Sequence, residues 1–182
     1  MTTLRALTPA DASGIRRIYS GAAVTYLMRP EMTASEAEAY VARVIEWSRA
    51  APVAQYVLGV DVAGDLVGVV KLGRRPAGHG RVSYVLREDV WGRGYATAAV
   101  ERLAAYAFTA AALESLGAKH HPDNPASGRV LTKAGFTCLG ADGGFVHYWL
   151  DRDGRRESSG QHREGPGVSP GRTRCPRGRS SR

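Results

Sequence analysis

The run Val90-Trp91-Gly92-Arg93-Gly94-Tyr95-Ala96-Thr97 is where this sequence concentrates its chemistry. Ahead of it stands the β-branched and aromatic stretch Ser83-Tyr84-Val85-Leu86, and behind it residues 98–112 are strong helix formers. A strand, a glycine turn and a helix N-terminus together make an anion site. The first backbone N–H groups of the helix have no partner within it, and the positive end of its dipole lies at the same place. Small residues at Gly92, Gly94 and Ala96 let a ligand come close to the backbone. The pattern fits a cofactor carrying a pyrophosphate. Taken alone, it leaves open a plain strand-to-helix connection.

A second motif follows about thirty residues later: His121-Pro122-Asp123-Asn124-Pro125-Ala126-Ser127-Gly128-Arg129-Val130-Leu131-Thr132-Lys133-Ala134-Gly135-Phe136. With Trp91-Gly92-Arg93-Gly94-Tyr95-Ala96-Thr97, it resembles the GNAT superfamily of acetyl-CoA-dependent N-acetyltransferases. The resemblance is to the branch of the RimJ/RimL ribosomal-protein N-terminal acetyltransferases. It runs from about Leu4 to Leu150 and is strongest from Gly64 to Phe136.

The resemblance implies acetyl-CoA as co-substrate and an amine as acceptor. It also implies a mixed, mostly antiparallel sheet with helices on both faces, in which two strands, 81–86 and 115–120, splay apart. Pantetheine would enter that gap and pair with the backbone of Tyr84, Val85 and Leu86, with a backbone N–H near Leu86 as oxyanion donor. Gly92, Arg93, Gly94, Tyr95, Ala96 and Thr97 would hold the pyrophosphate, and Trp91 would pack under the loop. Asn124 would contact the cofactor arm, and Ser127 would lie near the sulfur and assist the leaving thiolate. A local reading of Asn124-Pro125-Ala126-Ser127 is simply a turn and a helix cap.

The sequence departs from the wider superfamily at Leu131, where many members place a tyrosine as general acid. Leucine donates no proton, which leaves Ser127 or a water it holds. Ala98 and Gly117 stand where relatives of this branch often carry acidic residues, so the resemblance implies no particular general base. Candidates by residue type are His120, His121, His147 and Asp142, because histidine titrates in the range needed to take an ammonium proton. The catalytic candidates are therefore Ser127, His120 and His147. No further ligands at suitable spacing make the His120-His121 doublet a metal site.

Two other readings compete. Gly92-x-Gly94 after a strand suggests a dinucleotide-binding oxidoreductase, with Glu114 about twenty residues on as the ribose-binding acid. Thr97 occupies the third glycine's place, however, and that reading leaves the second motif unexplained. A non-catalytic acetyl-CoA-binding module fits the missing acid and tyrosine. For the acceptor, segments 19–32 and 143–148 are the expected walls, with Tyr26, Met28, Arg29 and Glu31 as the residues of interest. A protein N-terminal amine is the family default, and a small-molecule amine is the alternative.

The elements that must position these groups are legible from caps and periodicity. Thr8-Pro9-Ala10-Asp11 starts a helix to about residue 20, and Thr33-Ala34-Ser35-Glu36 is a capping box opening another to about residue 49. Residues 53–60 and 66–72 read as strands joined by a hairpin turn, and 81–86 as a third. A helix from 97 to about 113, a strand over 115–120, a short helix over 127–134 closed by Gly135, and a strand over 145–150 complete the domain. Strands and helices in this order suit a mixed sheet covered on both faces.

The 182 residues thus divide into one domain, 1–150, and a tail, 151–182. Of the net charge of +8, the tail's nine arginines and four acids supply +5. Rich in Gly, Ser, Pro and Arg, the tail has too little apolar surface to offset ordering entropy and is expected to be disordered. Contact with RNA or the ribosome through it is the less favoured reading, because it lacks interleaved aromatics. No apolar run approaches the roughly 18 residues of a membrane span, and the N-terminus lacks a signal-peptide pattern, so a cytoplasmic location without membrane contact is expected. Cys138 and Cys175 are too few for a disulfide framework. Nothing in the sequence fixes the oligomeric state.

Overall fold

The β-rich run from residue 55 to 86 forms a three-strand meander at the centre of the molecule. The computed structural model describes residues 1–153; the expected tail beyond Asp153 lies outside the described residues. In chain order the elements are β1 (Thr2–Arg5), α1 (Ala12–Ile18), α2 (Ala34–Arg49), β2 (Gln55–Val62), β3 (Asp65–Arg74) and β4 (His79–Leu86). They are followed by α3 (Tyr95–Thr109), β5 (Ser115–His120), α4 (Pro125–Lys133), β6 (Thr137–Asp142) and β7 (Phe145–Asp151). Short 3-10 turns cover Pro9–Asp11, Gly21–Leu27 and Glu88–Val90.

The seven strands form one sheet in the order β1-β2-β3-β4-β5-β7-β6. Every neighbouring pair is antiparallel except β4 and β5. Those two are paired only where His79, Gly80 and Arg81 meet Ser115, Leu116 and Gly117. Beyond Arg81 and Gly117 the strands part, so the expected splay is present.

Alternation along the strands sorts side chains onto two apolar layers. Val70, Leu72, Val82, Leu86, Leu116 and Val146 meet Val100, Leu103 and Ala107 of α3 and Leu131 of α4. Val57, Val69 and Val85 face the other way, against Ile15 and Ile18 of α1 and Val41 and Val44 of α2. Burying each Val, Leu or Ile of these layers stabilises the fold by about 1.5–3 kcal/mol. Gly80 lets the layers close at the seam: a Cβ there would come within 2.7 Å of both Leu113 and Leu116.

Caps set several ends where expected. Thr33 accepts from Glu36 N at 3.3 Å while Glu36 Oε2 accepts from Thr33 N at 2.7 Å, the reciprocal box that starts α2. The first expected helix differs. It opens as a 3-10 turn and becomes α-helical only from Ala12 to Ile18. Asp11 is the reason, since its carboxylate accepts from Thr8 N at 2.7 Å and also from both terminal nitrogens of Arg5. The helix expected over 97–113 runs earlier, from Tyr95 to Thr109. The chain then turns through Ala112, at φ 51°, to enter β5. Past residue 150, Arg152 donates to Leu113 O from Nε (3.0 Å) and a terminal nitrogen (2.7 Å), so the chain stays attached to the domain through that residue. No helix among the described residues is long and apolar enough to cross a membrane.

Candidate active site

The end of β4 is fixed before the site begins. Arg87 is buried and bridges Asp65 (2.8 Å) and Asp89 (2.9 Å), and it also donates to Leu66 O. Its backbone N donates to Val67 O at 2.9 Å. In an antiparallel pair, alternate residues turn their backbone groups toward the partner strand. With Leu86 opposite Gly68, that bond makes Arg87, Val85 and Ser83 face β3. Tyr84 and Leu86 therefore turn their N–H and C=O groups toward the gap, and Val85 does not. The Leu86 carbonyl accepts from Trp91 Nε1 at 3.0 Å, which leaves the Leu86 N–H at the mouth of the splay. Trp91 is 46% exposed, so its role under the loop is that hydrogen bond more than burial.

Gly92 and Gly94 have φ of 78° and 79°, left-handed values that favour glycine, and they turn the chain from Trp91 into α3. A Cβ at either would meet nothing within 4 Å, so the space over the turn is open. The first intrahelical bond runs from Ala98 N to Gly94 O. The N–H groups of Tyr95, Ala96 and Thr97 precede it at the helix N-terminus, where an anion is favoured. Arg93 is exposed on the same turn.

Across the gap, Asn124 caps α4: its Oδ1 accepts from Ser127 N at 3.1 Å. The local capping role is thus real, and it also fixes the first turn that presents Ser127. Tyr84 reaches from β4 under the splay and donates to Ser127 O at 2.9 Å, with its Oη 2.6 Å from Ser127 Oγ. Burial pushes the Tyr84 phenol above its ordinary range, so it stays protonated. Leu131, one turn on, is fully in the core. The hydroxyl nearest Ser127 therefore comes from β4, a partner 43 positions away that no local pattern could reveal.

The histidines occupy different faces. His120 points toward α4 and is buried. Its Nδ1 lies 2.7 Å from His121 O and its Nε2 3.3 Å from Tyr148 Oη. Gly128 makes room for both, since a Cβ there would sit 2.7 Å from His120 Nε2 and Tyr148 Oη. His147 is on the opposite face, beside Lys119 in the β5–β7 ladder, with Nε2 3.1 Å from Asp142 O. His121 lies between Tyr26 and Phe145, with ring centroids 6.4 and 6.3 Å away, and so joins the two expected acceptor walls. In the first wall, Glu31 accepts from Gly21 N at 2.8 Å and Glu88 from Ala22 N at 3.3 Å. Met28 is exposed at the end of that turn with φ 51°.

The comparisons agree with this architecture. Residues 2–137 match the family model described as an acetyltransferase (GNAT) domain. An uncharacterized N-acetyltransferase p20 of Bacillus licheniformis is 27% identical over 138 residues, covering 74% of this chain and 78% of that protein. The RimL ribosomal L7/L12 alpha-N-protein acetyltransferase, solved with coenzyme A, superposes with a TM-score of 0.73 at 17% identity, over 85% of this chain and 96% of its own. The spermidine N-acetyltransferase of Vibrio cholerae, solved with CoA and spermine, gives 0.70 at 20% identity, over 84% and 96%. A glycine turn into α3, a sheet parted beside it and a family match spanning both mean that the chain belongs to the GNAT acetyltransferase family.

Proposed function

We propose that this protein transfers the acetyl group of acetyl-CoA by direct attack of a primary amine, with a protein N-terminal amine as first choice of acceptor and a small-molecule amine as the alternative. The observation that carries the reading is the parted β4 edge. It offers the backbone groups of Tyr84 and Leu86 beside the α3 N-terminus, and Ser127 stands across from them. A chain of amides such as pantetheine can pair with that edge as a further strand would, while its pyrophosphate meets the N–H groups over 92–97. Solved neighbours that carry CoA, RimL and the spermidine enzyme among them, support the choice of co-substrate. RimL's named substrate supports the choice of acceptor.

In this reading the amine nitrogen bonds to the thioester carbon and the carbonyl oxygen takes the negative charge, which the Leu86 N–H stabilises. The carbonyl then reforms, the C–S bond breaks and its electron pair stays on sulfur. Ser127 donates its O–H to that sulfur as the single Tyr84 phenol proton turns from Ser127 O to Ser127 Oγ. Nitrogen loses one proton to His147 or to water, sulfur gains the Ser127 proton, and Ser127 regains one from solvent, so amide and thiol are the products and the residues return to their starting state. His147, on the face opposite α4, is assigned to the amine side in this reading, and His120, toward α4, to the thiol side. Thiol release measured over a panel of N-terminal peptides and small amines, with products identified by mass spectrometry, tests the proposal. Tight acetyl-CoA binding with no amine-dependent thiol release would leave a non-catalytic binding module instead.

A further inference from the structure

Lys71 is a single lysine inside the otherwise apolar run 66–73 of β3, and its surroundings are rich in donors and poor in acceptors. Its ammonium lies 5.1 Å from the ring centroid of Tyr40 and 5.5 Å from that of Tyr19. The two rings meet edge to face at 5.7 Å, and the Arg29 guanidinium lies 5.2 Å from the Tyr19 ring. Tyr19 is only 3% exposed, and its buried hydroxyl and that of Tyr40 have no hydrogen-bond partner beyond each other. Among the described residues neither Lys71 nor Arg29 forms an ion pair, and Arg29 donates only to Pro30 O. The nearby carboxylates are engaged elsewhere: Glu31 and Glu88 accept from the turn at Gly21 and Ala22, and Glu36 caps α2. Two buried hydroxyls and two unpaired cations in one place form an unbalanced set.

Its position relates it to the parted strands. Lys71 is opposite Ser83, and Arg81 is opposite Gly117, so Ser83 and Lys119 stand level with each other just past the last paired residues. Lys119 in turn is opposite His147. Lys71, Ser83, Lys119 and His147 thus make a row across the sheet on the α1/α2 face, with the gap at its middle. The α3 turn serves the other layer, so this set is separate from the pyrophosphate site. With strands about 4.8 Å apart and about 3.3 Å per residue, the Lys71 backbone is roughly 10 Å from Leu86. The Lys71 side chain stands off the sheet beside Tyr19 and Tyr40, on the same face as Ser83 and Lys119 at the gap.

We propose that Lys71, Arg29 and the hydroxyls of Tyr19 and Tyr40 form a carboxylate-binding subsite, and that the acceptor carries a carboxylate a few bonds from the amine that is acetylated. This rests on the transferase reading above and names its substrate class. Tyr19 is well suited as a donor, because burial pushes its ionisation well above the ordinary range. The carboxylate could belong to an acidic side chain near a peptide N-terminus or to a small amino acid.

The test pairs each acid with its amide: the peptide Ala-Asp-Ala-Ala against Ala-Asn-Ala-Ala, and 4-aminobutyrate against 4-aminobutanamide. Charge-assisted hydrogen bonds to the subsite should favour an acid over its amide by roughly 10- to 100-fold in kcat/KM. Which pair shows the preference identifies the source of the carboxylate. Lys71→Met should bring acid and amide to within about threefold by lowering kcat/KM for the acid, and Lys71→Arg should retain the preference. Tyr40→Phe, which removes one hydroxyl and keeps the ring, should weaken the preference in part. Thiol release that is equally fast with acid and amide in both pairs, or a preference that survives Lys71→Met, overturns the subsite and leaves the transferase reading intact. Acetyl-CoA binding without thiol release for any amine overturns the transferase reading, and the subsite with it.

Discussion

Removing the Tyr84 hydroxyl probes the leaving-group step without touching a residue that meets the acetyl group. Tyr84→Phe keeps the ring in its apolar layer and deletes two hydrogen bonds, one to Ser127 O at 2.9 Å and one shared with Ser127 Oγ at 2.6 Å. Ser127 is only half-buried, so water can replace the lost partner, and the fold should lose no more than about 1 kcal/mol. The kinetic effect should be larger than that suggests, because the single Tyr84 proton has two acceptors, Ser127 O and Ser127 Oγ, and only donation to Oγ turns the Ser127 proton away from Tyr84. When Tyr84 donates to Ser127 Oγ, the Ser127 O–H is free to turn to the sulfur; without Tyr84 it has no fixed direction. Ser127→Ala should lower kcat by roughly ten- to a thousandfold, the range of general-acid and single-donor effects. Tyr84→Phe alone should cost about tenfold, or about 1.4 kcal/mol of transition-state stabilisation. In a Ser127→Ala background the same change should cost about twofold at most, since residues that act as a unit are not additive. The assay is thiol release at saturating acetyl-CoA, with its dissociation constant and the melting temperature measured for all four proteins. Additive losses in kcat would refute the coupling. Losses that follow melting temperature or acetyl-CoA affinity would make the pair a structural latch between β4 and α4.

Gly94→Glu places a side chain and a negative charge on a left-handed position over the α3 N-terminus, and acetyl-CoA affinity should fall by about a hundredfold or more; unchanged affinity in a folded variant would remove the loop from the binding site. Gly128→Ala should lower stability by about 1–3 kcal/mol in urea titrations, because its Cβ would press on His120 and Tyr148 at 2.7 Å. Asp11 is held down to about 2, first by its hydrogen bonds from Arg5, so its stabilising effect is fully present above the ordinary carboxylate range and is lost as pH falls through about 2. Asp11→Asn should therefore cost about 1 kcal/mol at pH 7, allowing for the half-exposed Arg5, and the gap to the parent should close near pH 2.

What the sequence made legible depended on how local the determining interaction is. The α2 start, the glycine turn and the limits of β5 follow from neighbouring residues, and each was readable in advance. β1 was not: four residues with mixed burial carry too little periodicity, and only pairing with β2 makes them a strand. β6 was missed because it is an edge strand with Leu139 64% exposed and Gly140 at φ 111°, next to a break in register, which erases the alternation. The turn over Gly21–Leu27 depends on carboxylates from Glu31 and Glu88, the second supplied from the far side of β4. At the site, residues 92–97, Asn124 and Ser127 were legible as a motif. The direction of the Tyr84 side chain, the face on which each histidine lies and the cations around Tyr19 were not, because each depends on which strands stand next to one another.

The three-residue seam between β4 and β5 also bears on how the molecule holds together. It divides the sheet into a four-strand half and a three-strand half, and most of the edge they might have shared is left without strand pairing. A pantetheine arm lying there would act as a temporary eighth strand, a part of the architecture as much as a reactant. Amide protons of Tyr84 and Leu86 would then exchange slowly with acetyl-CoA bound and rapidly without it, and resistance to heat would rise with co-substrate concentration. In such a protein the supply of acetyl-CoA would set the reaction rate and also the fraction of enzyme that is folded.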